Sequence, residues 1–261
     1  MNLSLPTGLV PHYKSASQIA RVATEEWGLQ NLFCAACESD RVAQAPPNTK
    51  AIDFRCPLCS QTYQLKSRRN WSQEKVVDAA YSAMMDAIRT GKTPNFLILQ
   101  YTPTWTVHNL LLIPHFLVSE SAIEKRKPLG PSARRAGWVG CNILLHSIPP
   151  EGKICVVDHG ISLPPDDVRR RFNHIQPLSQ ISPKLRGWAV DVLRMVRTLH
   201  TPTFSLSDAY QFENDLRCLY PSNKHIRAKI RQQLQVLRDA GILQFHGQGR
   251  YSFRPTLSNA H

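Results

Sequence analysis

Two CxxC pairs constrain this chain more than any other feature. Cys34-Ala-Ala-Cys37 and Cys56-Pro-Leu-Cys59 are separated by 18 residues. A CxxC turn aims two thiolates at one point, and two such knuckles complete a tetrahedral four-cysteine site for Zn2+. The alternative is one redox-active CxxC with bystanders. A four-cysteine site leaves no open coordination position, so zinc bound by Cys34, Cys37, Cys56 and Cys59 is expected to be structural. The chain has seven cysteines, an odd number that argues against a disulfide framework. Cys141, Cys155 and Cys218 read as small buried or half-buried side chains.

Charge narrows the partner. Lys and Arg number 32 against 19 acids, a net charge of +13 and a pI near 9.7. Such a surface favours polyanions, because each phosphate contact releases condensed counterions. No apolar run reaches the roughly 18 residues of a bilayer span, and no basic amphipathic helix with an aromatic face suggests a membrane surface. Met1–Tyr13 has no charged segment followed by a long apolar stretch, so a cytoplasmic protein is expected. No obligate protein partner is evident.

The composition changes near Pro177–Pro183 (PLSQISP), where we place a boundary between residues 1–182 and 183–261. The first part mixes β-like and helical patterns, as in an α/β or α+β domain. Ser15–Leu29 and Ser72–Thr90 read as helices, the second with Val76, Val77, Ala80, Met84 and Ile88 on one face. Ala51–Phe54, Thr62–Lys66, Phe96–Tyr101, Leu110–Ile113 and Ile154–Val157 read as strands. The second part reads as helices over Leu185–Thr198, Ser205–Leu219 (N-cap Ser205 or Ser207) and Asn223–Ala240. A hairpin of Ile242–His246 and Arg250–Phe253 follows, around Gly247-Gln248-Gly249. That is the order of a winged helix-turn-helix. It carries 12 basic and 5 acidic residues, against 20 and 14 in 1–182, so the smaller part is the more densely charged.

Candidate chemistry clusters around the second knuckle. Gln64 and Lys66 are two apart on one strand and share a face. If the Cys turn joins two strands, Asp53 lies opposite them. Oxygens of Asp53 and Gln64 are then able to hold Mg2+, with Lys66 beside the reacting phosphate. Spacing alone fits a solvated polar strand better. In the third helix of the second part, Ile226, Ile230, Leu234 and Leu237 make a core face. Lys224, His225, Arg231, Gln232 and Gln235 fall on the other side, and Gln248 and Arg250 sit in the wing. This division suits a recognition helix in double-stranded DNA or an ordinary amphipathic helix, and the Gly-rich hairpin that follows favours DNA. Arg134-Arg135-Ala136-Gly137-Trp138-Val139-Gly140 sets two cations beside a Trp that, read alone, is a core residue.

The chain resembles the DpnI-like methyl-directed restriction endonucleases over nearly its full length. The resemblance rests on Tyr13-Lys14-Ser15, Thr24-Glu25, both CxxC pairs, Asp53-Phe54, Leu65-Lys66-Ser67, Pro94-Asn95-Phe96, Arg126–Gly140, Arg186-Gly187-Trp188 and Lys229–Gln235. Two stretches are especially specific: Ala133–Asn142 (ARRAGWVGCN) and Ile230–Asp239 (IRQQLQVLRD). It implies a restriction-endonuclease-like PD-(D/E)xK domain of the α/β class with an inserted four-cysteine zinc site, then a winged helix-turn-helix domain. It also implies Mg2+-dependent cleavage of DNA at adenine-methylated GATC. Asp53 becomes the first metal-binding acid, Lys66 the motif lysine, and Arg135 and Trp138 a reader of methyl-adenine. The second acidic position falls on Gln64, a departure that weakens binding of a hard cation. Glu25, Glu26 and Glu74 are the nearby acids able to compensate. Two other functions remain: a methylated-DNA binder that has lost efficient cleavage, and a zinc-ribbon winged-helix regulator with no metal-dependent nicking.

Overall fold

The structure is a computed structural model, and it describes residues 1–9, 15–47, 49, 51–70 and 74–255. In chain order, α1 (Ala16–Asn31) precedes β1 (Ala43–Gln44), β2 (Phe54–Arg55) and β3 (Thr62–Arg68). Then come β4 (Lys75–Ala80), α2 (Tyr81–Thr90), β5 (Asn95–Tyr101), β6 (Val107–Ile113), β7 (Ile123–Lys125) and β8 (Gly140–Leu144). β9 (Ile154–Asp158), β10 (Ile161–Ser162), α3 (Pro165–Ile175) and α4 (Pro183–Arg197) lead to the last segment. That segment is β11 (Thr203–Ser205), α5 (Leu206–Tyr210), α6 (Glu213–Leu219), α7 (Ile226–Asp239), β12 (Leu243–Phe245) and β13 (Arg250–Phe253). No helix among the described residues is long and apolar enough to cross a membrane.

The chain groups into two compact units that do not follow chain order. The first contains 1–72, 94–115 and 153–173; the second contains 73–93, 116–152 and 174–261.

The first unit is built on a seven-stranded sheet ordered β1-β2-β3-β5-β6-β9-β10, in which β3 and β5 run parallel and the other neighbours antiparallel. β5 is buried from Asn95 to Leu99 without alternation, which marks a strand covered on both faces. Helix α1 anchors Trp27, fully buried, by donating its indole N–H to the Asn2 carbonyl at 2.7 Å. Gly28 lets α1 approach β2, since a Cβ there would come within 2.5 Å of the Phe54 ring.

The second unit has two three-stranded sheets, β4-β8-β7 and β11-β13-β12, with α2, α4, α5, α6 and α7. α7 buries Ile226, Ile230, Leu234 and Leu237 as its pattern predicts, together with Gln233. The wing turns through Gly247, Gln248 and Gly249, all at positive φ (84°, 48° and 71°), so two of the three positions call for glycine. Ser205 is the N-cap of α5: its hydroxyl accepts from Asp208 N–H at 3.1 Å, and Asp208 accepts in return from Ser205 N–H at 2.7 Å.

Several expectations need correction. The helix expected over Ser72–Thr90 is a strand and then a helix. Ser72 lies outside the described residues, as do Tyr13 and Lys14. Val76 and Val77 alternate in β4, the first 1% and the second 46% exposed, so they do not share a face. β-Branching and pairing with β8 outweigh a short apparent helical period. The strand expected from Ala51 is limited to Phe54–Arg55, and Ala51 has φ 58°. Ser205–Leu219 is two helices, not one. Cys218 is exposed, because Leu216 is the inward residue of α6. Helix α3 and the strands β4, β7, β8 and β11 have no counterpart in the sequence pattern.

Candidate functional site

The β2–β3 hairpin carries both knuckle chemistry and the candidate catalytic residues. Phe54 pairs with Tyr63, and Arg55 with Thr62, so the second CxxC forms the turn between paired strands. At its tip Cys56 N–H donates to Gln61 O at 2.8 Å, and Ser60 turns the chain at φ 62°. The first CxxC follows the end of α1, where Cys34 N–H donates to Ser39 O at 3.0 Å.

All four Sγ atoms lie within 4.8 Å of one another, and Cys34–Cys59 and Cys37–Cys56 are each 3.5 Å apart. A tetrahedral ZnS4 centre with bonds of about 2.3 Å has S–S edges of about 3.8 Å, so the donor set fits zinc. Cys34 and Cys56 are buried and Cys59 is exposed. Burial pushes the Cys34 and Cys59 thiols up. At Cys56 the same burial is outweighed by hydrogen bonds from the Cys59 and Leu58 amides and from Cys37, which bring it to about 6.

Arg169 on α3 is a residue that sequence reading missed. Its guanidinium donates to Cys34 O at 3.2 Å and Ser39 O at 3.1 Å, pairs with Asp40 at 3.2 Å, and lies over the Phe33 ring. It clamps the first knuckle from 129 to 135 residues away, and no local pattern announces that. Its side chain is 14% exposed. Arg169→Ala is expected to cost about 1–3 kcal/mol by removing its bonds to the Cys34 and Ser39 carbonyls, of which Ser39 O keeps only its bond from Cys34 N–H. It should also speed zinc release to a chromophoric chelator, while Arg170→Ala, on the exposed side of α3, should not.

Asp53 lies directly before β2. Its N–H donates to Tyr63 O at 2.9 Å, and its Oδ2 accepts from Leu65 N–H at 2.7 Å. The carboxylate therefore sits against the β3 backbone within the Gln64–Lys66 stretch. Tyr63 turns to the metal cluster, its hydroxyl 3.2 Å from Cys34 Sγ, and Gln64 and Lys66 occupy the alternate face of β3. Gln64 is 8% exposed, yet its amide has no hydrogen-bond partner among the described residues. Its oxygen is therefore available to a cation or water. Glu25 on α1 is half-buried. Its carboxyl is pushed up by burial and, against the pull of Arg21, by the negative charge of Asp53. Glu26 instead bonds Gln30 at 2.8 Å. Glu74 belongs to the other unit.

The candidate DNA-reading residues Arg135, Trp138, Lys224, His225, Arg231, Gln232 and Arg250 all belong to the second unit. Lys224, His225, Arg231, Gln232, Gln235 and Arg250 are exposed. Gln232 is held by Lys229, whose ammonium donates to its Oε1 at 2.8 Å, so its amide N–H groups remain to donate outward. Arg227, though exposed, is occupied by Glu213 at 2.6 Å and by the Tyr210 ring. Trp138 is half-buried. Its ring lies against Gly140, where any Cβ would come within 2.8 Å, and the Arg135 guanidinium sits 4.4 Å over it. The 126–140 loop is closed by Arg126 N–H to Gly140 O at 3.0 Å and Leu129 N–H to Trp138 O at 2.9 Å.

A mixed α/β body around a central sheet, a cluster of four cysteines and a helix-turn-helix with a β-wing are thus in one chain. A family model described as DpnI, Dam-replacing family, matches residues 1–181, and a second, Dam-replacing HTH domain, matches residues 184–253. With these matches covering most of its length, the chain belongs to the DpnI or Dam-replacing family and is a DNA-binding, methyl-directed restriction enzyme with a C-terminal winged helix.

Proposed function

We propose that the protein is a Mg2+-dependent type II endonuclease that cuts double-stranded DNA at adenine-methylated GATC, with residues 1–182 as nuclease and 183–261 as winged-helix reader. The observation that carries the cleavage half is Gln64, 8% exposed and with no hydrogen-bond partner for its amide among the described residues, beside the carboxylate of Asp53. One acid and one amide oxygen on adjacent strands are a fitting donor pair for a hard cation. When bound, Mg2+ would polarise the phosphate and activate water. Lys66 on the same face as Gln64 holds the scissile phosphate and offsets charge that develops on it. Glu25 supplies a second negative charge near Asp53, in place of the acid that Gln64 lacks. Arg231, Gln232, Lys224 and His225 on and before α7, with Arg250 in the wing, hold the duplex, and Arg135 with Trp138 meets the adenine methyl.

The deciding experiment is incubation of purified protein with methylated and unmethylated plasmid, with and without Mg2+. Cutting that needs both the methyl group and the metal supports the proposal. Selective binding without cutting supports the second reading, a methylated-DNA binder, which the neutral Gln64 favours. Metal-independent behaviour on both plasmids would exclude the nuclease.

Two variants follow. Gln64→Glu restores a charged ligand and should lower the Mg2+ concentration for half-maximal cleavage by on the order of tenfold. Glu25→Gln should raise it by a comparable factor. No change in either titration would remove these residues from the metal site. Trp138→Ala should reduce the preference for methylated over unmethylated duplex. A methyl is worth on the order of 1 kcal/mol when buried, so discrimination should fall by about fivefold. Matched duplexes titrated at one salt concentration measure it, and an unchanged ratio would assign methyl sensing elsewhere.

A further inference from the structure

We infer that the second unit contains an additional anion site: a cavity that takes a nucleotide, with its phosphate at Arg186 and its base against an apolar wall. The cavity has a volume of about 1020 Å3 and is formed by the start of α4, the segment before α7, the end of α2 and residues 116–121. That is the size of small-ligand pockets and more than inorganic phosphate fills.

Arg186 is the reason to expect an anion. It lines the cavity, is 8% exposed, and has no carboxylate partner among the described residues. Its Nη1 donates to the carbonyls of Ile181 at 2.8 Å and Ser179 at 3.4 Å. Its Nε and Nη2 donors have no partner among the described residues. Burial alone pulls its pKa down. A buried cation bonded only to neutral carbonyls keeps most of its desolvation cost, and an anion in the cavity relieves it. Arg is also the side chain whose fork fits a phosphate.

Two helix N-termini meet the same space. Pro183 and Lys184 open α4, Lys224 and His225 lead into α7, and all four line the cavity. Neither helix has a side-chain cap, so their first-turn N–H groups and positive dipole ends remain available. The acid on the wall, Glu120, is already bound by Arg89 at 2.8 Å. One side of the cavity is apolar, with Ile88, Phe116 and Val118, and Trp188 is stacked on Tyr220 at 3.6 Å, while Ser119, Ser121, Ser222 and Asn223 add polar groups to the lining. A phosphate joined to a flat apolar body matches this combination. It is either a free mononucleotide or the 5′ end of a DNA strand.

The test uses the full-length protein without divalent metal, so it is independent of cleavage. dAMP, inorganic phosphate and deoxyadenosine are titrated by calorimetry. dAMP should bind at least about tenfold more tightly than either fragment, and Arg186→Gln should weaken it by at least about tenfold. Lys184 is exposed, so Lys184→Gln serves as the second variant if Arg186→Gln does not fold, and it should weaken dAMP by about threefold. A 5′-phosphorylated duplex that displaces dAMP, where its 5′-hydroxyl counterpart does not, identifies the ligand as a DNA end. No displacement by either identifies a free nucleotide. The inference is overturned if dAMP does not bind at millimolar concentration. It is also overturned if phosphate alone binds as well, or if both variants bind dAMP like the wild type.

Discussion

Asp53→Asn is expected to reduce cleavage by about a thousandfold or more while leaving duplex affinity within about twofold of wild type. Loss of charge at a site that must stabilise a phosphoryl transition state is worth this scale. The asparagine matters. Asp53 Oδ2 accepts from Leu65 N–H at 2.7 Å, and an amide oxygen can keep that bond while the charge is lost. Asp53→Ala would lose both, and should also unfold about 1–3 kcal/mol more easily in urea. Comparing the two variants separates chemistry from support of the hairpin. The candidate reading residues are in the other unit, so a titration of methylated duplex should be unchanged. Wild-type cleavage by Asp53→Asn would mean that the metal-binding acid lies elsewhere.

Cys34→Ser is expected to lower zinc from one ion per chain to none in elemental analysis and to remove the first unit's cooperative unfolding transition. Structural zinc bound to thiolates contributes about 10–16 kcal/mol of apparent binding energy, comparable to or larger than the stability of a whole domain. Cys34 is fully buried, its Sγ 3.5 Å from Cys59 and 3.2 Å from the Tyr63 hydroxyl. Tyr63 immediately precedes Gln64, so loss of the metal should loosen the strand that carries Gln64 and Lys66. Cleavage should therefore fall with zinc content, and Mg2+ should not restore it. Cys218→Ser, on the exposed side of α6, is the control and should change neither quantity. A zinc-free protein with full activity and an unaltered unfolding transition would overturn the structural role.

The features legible in the sequence are those with short-range causes. The CxxC knuckles declare themselves because two ligands within one turn of chain meet at one point. The core face of α7 is readable because Ile226, Ile230, Leu234 and Leu237 follow one helical stripe, and the wing because Gly247 and Gly249 flank a turn at positive φ. The resemblance adds Asp53, Gln64 and Lys66, which spacing alone assigns no better than to a polar strand. Lys75–Ala80 misleads because Val76, Val77 and Ala80 fit a helical stripe on paper, whereas pairing with β8 is a long-range fact.

The chain's order by itself determined that there would be a cluster of four cysteines, a mixed α/β body, a basic winged helix and a strand carrying Gln64 and Lys66. Only the tertiary structure decided which segments pack together. It joined 73–93 and 116–152 to the winged helix, where buried Asp191 on α4 accepts from Ser119 at 3.1 Å, Ser121 at 2.5 Å and Tyr220 at 2.6 Å. Buried Glu151 is likewise bound by Arg197. It also brought Arg169 to the first knuckle and left Arg186 facing a cavity without a counter-ion among the described residues. The physical reason is that a buried polar group must find a partner wherever the folded chain supplies one. Such partners lie tens to more than a hundred residues apart, and no local period, propensity or spacing encodes them.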